Sequence, residues 1–171
     1  KKGLSVVMCD ISQDMLNVAS RKVKETGLEG RVSFRQGDIC NLPFGDNSFD
    51  FVLAEGDPIS YCSNPDMAVK ELRRVLKPDC YLSAGVDSLY PFLRRMLEQP
   101  EVDIDHLNKL YKEKRFLAPQ WGFSCWLFTP KDLKRLLIKH GLKVVKIAGK
   151  PVMFRSRPET EATLKDPAKV Q

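Results

Sequence analysis

The 171-residue sequence has no apolar run approaching the roughly 20 residues that a membrane-spanning helix needs, so no segment reads as a membrane span. Its five cysteines (Cys9, Cys40, Cys62, Cys80 and Cys125) are odd in number and contain no C-x-x-C pair, which argues against a disulfide framework and against a zinc site. No metal is expected, and a reducing, cytoplasmic setting suits the free thiols. Histidine is scarce: His106 sits in a polar helical stretch, and His140 precedes Gly141 at a helix end, where positive charge complements the helix dipole. No internal repeat, low-complexity block or targeting segment is visible. Nor is there a block of like charge. The net charge of +6 is scattered, and the one local concentration, Lys131, Lys134, Arg135, Lys139, Lys143 and Lys146, reads better as a solvated helix face than as a nucleic-acid surface. There is no initiator Met, and Lys1-Lys2-Gly3 has the character of a helix tail, so polypeptide is expected to precede Lys1.

What is present is an ordinary globular balance, 43% hydrophobic and 29% charged, in a length that suits one domain. The organising stretch is Val6-Val7-Met8-Cys9-Asp10-Ile11-Ser12. Four residues without surface alternation, closed by an acid, read as a strand buried on both faces. A helix from Ser12 to Thr26 follows, with Met15, Ala19 and Val23 on one face and Gly27 as terminator. Val32 and Phe34 alternate in a second strand that runs into Gly37-Asp38-Ile39. After a loop over Leu42–Asn47, residues Phe49–Ala54 make a third strand ending at Glu55-Gly56-Asp57-Pro58. Asn64 and Pro65 open a helix whose inward face is Ala68, Val69, Leu72, Val75 and Leu76. Tyr81–Val86 is a fourth strand. This alternation predicts an α/β fold with a doubly wound sheet of mostly parallel strands and helices on both faces.

Beyond Asp87 two amphipathic patterns, Leu89/Phe92/Leu93/Met96/Leu97 and Ile104/Leu107/Leu110/Tyr111, predict a helical cap inserted at about 88–120. The aromatic segment Trp121–Phe128 either lines an acceptor pocket or, more in keeping with large rings, packs in the core. Thr129-Pro130 opens a last helix with Leu133, Leu136 and Leu137 facing inward, and Leu142–Ile147 is expected to be a further strand. The core is thus placed at 1–150, followed by a polar segment over 151–171.

Acids close successive strands at Asp10, Asp38 and Glu55, and ligands of open α/β sheets bind beyond the carboxyl ends of the strands. An acid there can take both hydroxyls of a ribose. Asp10 has a blander alternative as a cap of the helix it precedes, and a nicotinamide dinucleotide would use the position equally well.

Four segments add a resemblance: Cys9-Asp10-Ile11-Ser12-Gln13-Asp14-Met15-Leu16, Gly37-Asp38-Ile39-Cys40-Asn41-Leu42-Pro43-Phe44, Asn47-Ser48-Phe49-Asp50-Phe51-Val52 and Glu71-Leu72-Arg73-Arg74-Val75-Leu76-Lys77-Pro78. In order and spacing they resemble the class I S-adenosylmethionine-dependent methyltransferases, in the small-molecule branch that includes quinone-biosynthesis methylases. The resemblance implies a Rossmann-like fold, S-adenosyl-L-methionine as cofactor, S-adenosyl-L-homocysteine as product and a small-molecule acceptor. It implies that Asp10 holds the ribose hydroxyls, Ile11 packs on the adenine, Asp38 accepts from the adenine amino group with the Ile39 amide beside the ring, and Ala54 and Glu55 lie along the methionine part. Cys80 departs from the glycine usual after Lys-Pro. The larger departure is that the family's first strand and glycine-rich loop are missing from these residues, and its final strand also, so two interior sheet edges are expected to lie open.

Methyl transfer from a sulfonium needs alignment more than acid–base chemistry, and no catalytic base is assigned. Asp57, Tyr61 and His106 are the candidates for contact with the acceptor or for a base where one is needed, and Trp121 and Trp126 for contact with the acceptor alone. Asp57-Pro58-Ile59-Ser60-Tyr61 only faintly echoes the N/D-P-P-Y motif of nucleic-acid and protein amide methyltransferases, since it lacks the second proline. An RNA or protein methyltransferase and a non-catalytic cofactor-binding subunit are the rival readings.

Overall fold

The computed structural model describes residues 3–118 and 122–149. In chain order the elements are β1 (Val6–Asp10), α1 (Gln13–Glu25), β2 (Val32–Gln36), β3 (Phe49–Ala54), α2 (Pro58–Tyr61), α3 (Pro65–Val75), β4 (Leu76–Ala84), α4 (Leu89–Leu97), α5 (Ile104–Glu113), β5 (Arg115–Ala118), β6 (Phe123–Trp126) and α6 (Pro130–Lys139). The helices start where the sequence places their caps. Ser12 Oγ accepts from Met15 N at 3.3 Å, and Asn64 Oδ1 accepts from Asp66 N at 3.0 Å ahead of Pro65. Thr129 and Asp132 form a reciprocal capping box in front of α6.

The α/β class and the parallel pairing are as expected, but the sheet is not continuous. β1 pairs with β2 in parallel, from Val6 opposite Val32 to Asp10 opposite Gln36. β3 pairs in parallel with β4, with a register shift between Phe49 and Phe51. β5 and β6 form a separate antiparallel pair. Among the described residues no strand joins these pairs, so β1 and β3 each keep one unpaired edge. The side chains show the consequence: Val6 is 45% exposed, Phe51 54% and Leu53 62%, whereas parallel strands normally have both faces covered.

The main core forms where α3 and α6 meet the β3–β4 pair. Ala54, Ile59, Val69, Leu72 and Phe128 are buried there, with Leu133, Leu136 and Leu137 packed against them. All five inward residues expected on α3 and its end are buried. A second cluster of Leu89, Leu110, Cys125 and Leu127 joins α4 and α5 to the β5–β6 hairpin. The two clusters are tied together by Phe128, whose N–H donates to Asp87 O at 2.9 Å while its carbonyl accepts from Leu89 N at 3.0 Å.

Three expectations are corrected. On α1 the buried residue is Leu16, while Met15 is 59% exposed; Leu16, Ala19 and Val23 follow the helical period as well as the set beginning at Met15, and packing selects between them. The insertion is not wholly helical. Lys114 takes a left-handed conformation (φ 51°) that stops α5, and the chain turns directly into β5. Leu142–Ile147 is not a strand: Leu142 N donates back to Leu137 O at 3.1 Å, closing α6, and Val145 is 75% exposed with no strand beside it.

Candidate functional site

A cleft of about 450 Å³ runs along β1 and β3, from Val7 and Phe49 to the residues at the carboxyl ends of the parallel strands. Asp10, Ile11, Asp38, Ile39, Ala54 and Glu55, the six residues expected around a cofactor, all line it. They are far apart in sequence and meet because the two parallel pairs end at the same level. Gly37 N donates to Asp10 O at 3.0 Å, which holds the ends of β1 and β2 together. Gly85 N donates to Ala54 O at 2.9 Å and does the same for β3 and β4.

Each acid at a strand end uses one oxygen to shape its own turn. Asp10 Oδ1 accepts from Ser12 N at 2.8 Å, and Asp38 Oδ1 accepts from Cys40 N at 2.8 Å. The cap of α1 is therefore Ser12 and not Asp10, which shapes the turn before it and stands on the cleft wall. Ile11 projects from the turn with its side chain largely exposed, while its carbonyl accepts from Gln36 Nε2 at 2.9 Å. Glu55 Oε1 lies 3.4 Å from Ser83 Oγ.

The glycine between two of these elements is a spatial requirement. A β-carbon on Gly37 would lie 2.6 Å from Pro43 Cδ and 3.0 Å from Cys9 Sγ, closer than packed carbon atoms tolerate. The loop that carries Pro43 is fastened to α3 by charged hydrogen bonds. Glu71 Oε2 accepts from Leu42 N at 2.9 Å, and Arg74 donates to Phe44 O at 2.7 Å, to Asp46 Oδ1 at 2.9 Å and to both Glu71 oxygens at 2.7 Å. The Arg74 hydrogen bonds hold the Glu71 carboxyl below its ordinary range against the opposing effect of burial.

Of the five residues considered for the acceptor, the four that are described do not come together. Tyr61 lines the cleft, and its ring meets Phe123 at a centroid distance of 6.0 Å. Asp57 adopts a left-handed conformation (φ 58°) at the start of α2; a β-carbon on Gly85 would lie 2.7 Å from its Oδ1, but Asp57 is not part of the cleft lining. His106 belongs to α5, whose described residues are absent from the cleft wall. Trp126 packs against the main core and donates from Nε1 to Cys62 O at 3.1 Å, with the Arg115 guanidinium 4.9 Å from its ring centre, so it serves packing. Trp121 lies outside the described residues. Neither α4 nor α5 contributes to the cleft; they pack on the β5–β6 hairpin instead.

Asp87 went unnoticed in the sequence. It sits just past β4, accepts from Cys125 Sγ at 3.1 Å on Oδ2, and its N–H donates to the fully buried Ser60 Oγ at 2.8 Å. Burial first, then the Asp87 carboxylate and the Cys125 thiol, push the Tyr61 phenol far above its usual range. The Tyr61 hydroxyl is thus engaged with the Asp87 carboxylate, outside the cleft lining. The signal for Asp87 was available: it is an acid at a strand end, like Asp10 and Asp38.

Residues 1–79 match a family profile described as a methyltransferase domain. A ubiquinone/menaquinone biosynthesis C-methyltransferase from Rhodopseudomonas palustris is 36% identical over 110 residues, which is 64% of this chain and 38% of that protein. A demethylmenaquinone methyltransferase from Lactobacillus johnsonii is 37% identical over 75 residues, 44% of this chain and 30% of that one. Among solved structures, a SAM-dependent methyltransferase from Methanosarcina mazei superposes with a TM-score of 0.60 at 29% identity, covering 81% of this chain and 69% of its own. The chain's first 79 residues are thus similar to a methyltransferase domain, and its fold is similar to that of a SAM-dependent methyltransferase. It spans well under half the length of the two curated relatives described.

Proposed function

We propose that the cleft binds S-adenosyl-L-methionine and that the whole protein transfers its methyl group to a small-molecule acceptor. The observation that carries this reading is the convergence of Asp10 and Asp38, on neighbouring parallel strands, with Ala54 and Glu55 across a cleft whose walls also include Ile11 and Ile39. Two carboxylates spaced along one wall match a ribose diol and an exocyclic amino group, and the apolar residues beside them match an adenine face. Asp10 would hold the ribose, Ile11 and Ile39 the ring, Asp38 the amino group, and Ala54 and Glu55 the cationic end. Bound there, the cofactor supplies a methyl group already activated on a sulfonium; the work left to the chain is to orient it and exclude water. Tyr61, at the cleft wall with its hydroxyl engaged by Asp87, would offer its ring to an acceptor. The similarity to ubiquinone/menaquinone and demethylmenaquinone methyltransferases makes a quinone precursor the first acceptor class to test.

Calorimetry with S-adenosylmethionine, S-adenosylhomocysteine and NAD tests the reading. Binding of the first two without NAD is the expected result, and binding of NAD alone overturns it. Tight cofactor binding with no turnover across quinone, other small-molecule, RNA and protein acceptors supports the non-catalytic subunit instead.

The same geometry supports a further strand. The unpaired edges of β1 and β3 line one cleft, and the exposed Val7, Phe51 and Leu53 lie along it. A parallel strand between them, with the family's glycine-rich loop at its carboxyl end, would join the two pairs into one sheet and bring backbone to the methionine part of the cofactor. In the natural protein, hydrogen exchange is expected to show protection of the β1 and β3 amides that point away from β2 and β4. Exchange of those amides at solvent-exposed rates rules the strand out.

A further inference from the structure

Two of the segments that carry the family resemblance meet in space. Residues 37–44 follow β2, residues 71–78 run from α3 into β4, and a charged pair on α3 joins them. An arginine side chain has five N–H donors, and each of those on Arg74 finds an oxygen. Nε donates to Glu71 Oε1 at 2.7 Å, Nη1 to Phe44 O at 2.7 Å and Asp46 Oδ1 at 2.9 Å, and Nη2 to Leu42 O at 3.1 Å and Glu71 Oε2 at 2.7 Å. Glu71, only 9% exposed, accepts in turn from Leu42 N at 2.9 Å. The Arg74 carbonyl accepts from Asn47 N at 2.9 Å, so both ends of the 42–47 loop are tied to one residue. Residues 42–48 form neither helix nor strand; side chains from α3, in place of a backbone ladder, supply the hydrogen bonds that fix their path. The tie reaches the cleft a short way along the chain. Leu42 follows a turn in which Asn41 N donates to Asp38 O at 2.9 Å and Cys40 N donates to Asp38 Oδ1 at 2.8 Å. The turn that aims the Asp38 carboxylate is therefore held at one end by β2 and at the other by Glu71 and Arg74.

We propose that Glu71 and Arg74 are positioning residues for the adenine end of the cofactor, acting through Asp38. Neither lines the cleft, so their effect is indirect: they hold the 42–47 loop, and the loop sets the direction of the carboxylate assigned above to the adenine amino group. The inference rests on that assignment. Full use of the guanidinium donors makes the position specific for arginine. Lysine keeps the charge, but its three donors radiate from a single atom and cannot serve acceptors spread over Leu42, Phe44, Asp46 and Glu71 together.

The test is a double-mutant cycle on the whole protein. S-adenosylhomocysteine affinity is measured by calorimetry for wild type, Arg74→Lys, Asp38→Ala and the double variant, at a temperature where all four are folded. Arg74→Lys is expected to weaken binding about tenfold in the wild-type background and by at most about twofold in the Asp38→Ala background. A pair that only stabilises the fold gives the same factor in both backgrounds; that result, or unchanged affinity in Arg74→Lys, overturns the proposal. Glu71→Gln, which keeps an acceptor for Leu42 N–H, runs through the same cycle and is expected to show the same dependence on Asp38. S-inosylhomocysteine, with a ring carbonyl in place of the amino group, is the second probe. Its affinity is expected to be equal in wild type and Arg74→Lys, and a loss as large as that of S-adenosylhomocysteine overturns the proposal. Amide exchange followed by NMR tests the mechanical link without cofactor. The Leu42 and Cys40 amides are expected to exchange about tenfold faster in Arg74→Lys, and to keep their rates in Arg135→Lys, whose pair with Asp132 lies within α6. Unchanged Cys40 exchange in Arg74→Lys overturns the proposal. Where the wild type binds no S-adenosylhomocysteine, the cofactor reading fails and the adenine role with it, while the exchange rates still decide whether the pair holds the Asp38 turn.

Discussion

Replacing Asp10 with alanine is expected to weaken S-adenosylhomocysteine binding by about a hundredfold, the scale of losing hydrogen bonds to a charged acceptor. The carboxylate has two jobs in the proposed site, and they can be separated. One oxygen accepts from Ser12 N at 2.8 Å and shapes the entry to α1; the group as a whole, on the cleft wall, is assigned to the ribose diol. Asp10→Asn keeps an acceptor for Ser12 N–H but removes the charge and one of the two acceptor oxygens. Asp10→Asn is therefore expected to melt close to wild type and to bind S-adenosylhomocysteine nearly as poorly as Asp10→Ala. Calorimetry and thermal denaturation on both variants check this. If both bind like wild type, Asp10 serves the turn alone.

The second large effect is expected at Gly37. Glycine to alanine usually stabilises a chain modestly when the backbone tolerates it, because the unfolded state loses freedom. Here the added methyl would meet the rigid Pro43 ring at 2.6 Å and Cys9 at 3.0 Å. Relief requires β2 to lift from β1 or the Pro43 loop to leave α3, and that loop is fastened by Glu71 and Arg74. Overpacking of this kind costs about 1–3 kcal/mol, and a loss of about 5 °C in melting temperature is expected for a chain of this size. Asp38 is the next residue, so cofactor affinity is expected to fall as well. Gly45→Ala is the comparison. Its β-carbon would meet only Ser48 Oγ, at an ordinary 3.6 Å, and little change is expected. A Gly37→Ala protein as stable as Gly45→Ala, with undiminished affinity, shows that the Pro43 contact yields freely.

Much of the fold was readable residue by residue. The inward face of α3, from Ala68 to Leu76, and the caps at Ser12, Asn64 and Thr129 rest on interactions within a few positions, and all are found in place. So are the four parallel strands and the acids at their ends. The readings that failed concern matters that local pattern leaves open. Met15 and Leu16 are equally apolar, and only what α1 packs against decides between them. Residues 142–147 are rich in apolar side chains, but Leu142 turns back to close α6 and the segment pairs with no described strand. Asp87 acquires meaning only when Tyr61 and Cys125, from α2 and β6, arrive beside it.

Periodicity, capping chemistry and acid placement thus settled the order of the four parallel strands, the helices α1, α3 and α6, and which acids stand at or just beyond the carboxyl ends of β1, β2 and β3, because each depends on neighbours a turn or a strand apart. Three-dimensional packing alone decided that Asp10, Asp38, Ala54 and Glu55 share one cleft, that β1 and β3 present open edges to it, and that Cys40 comes to rest against the residues following Cys62. Those relations join groups separated by many residues, and the energy that fixes them comes from burying side chains that no local rule brings together.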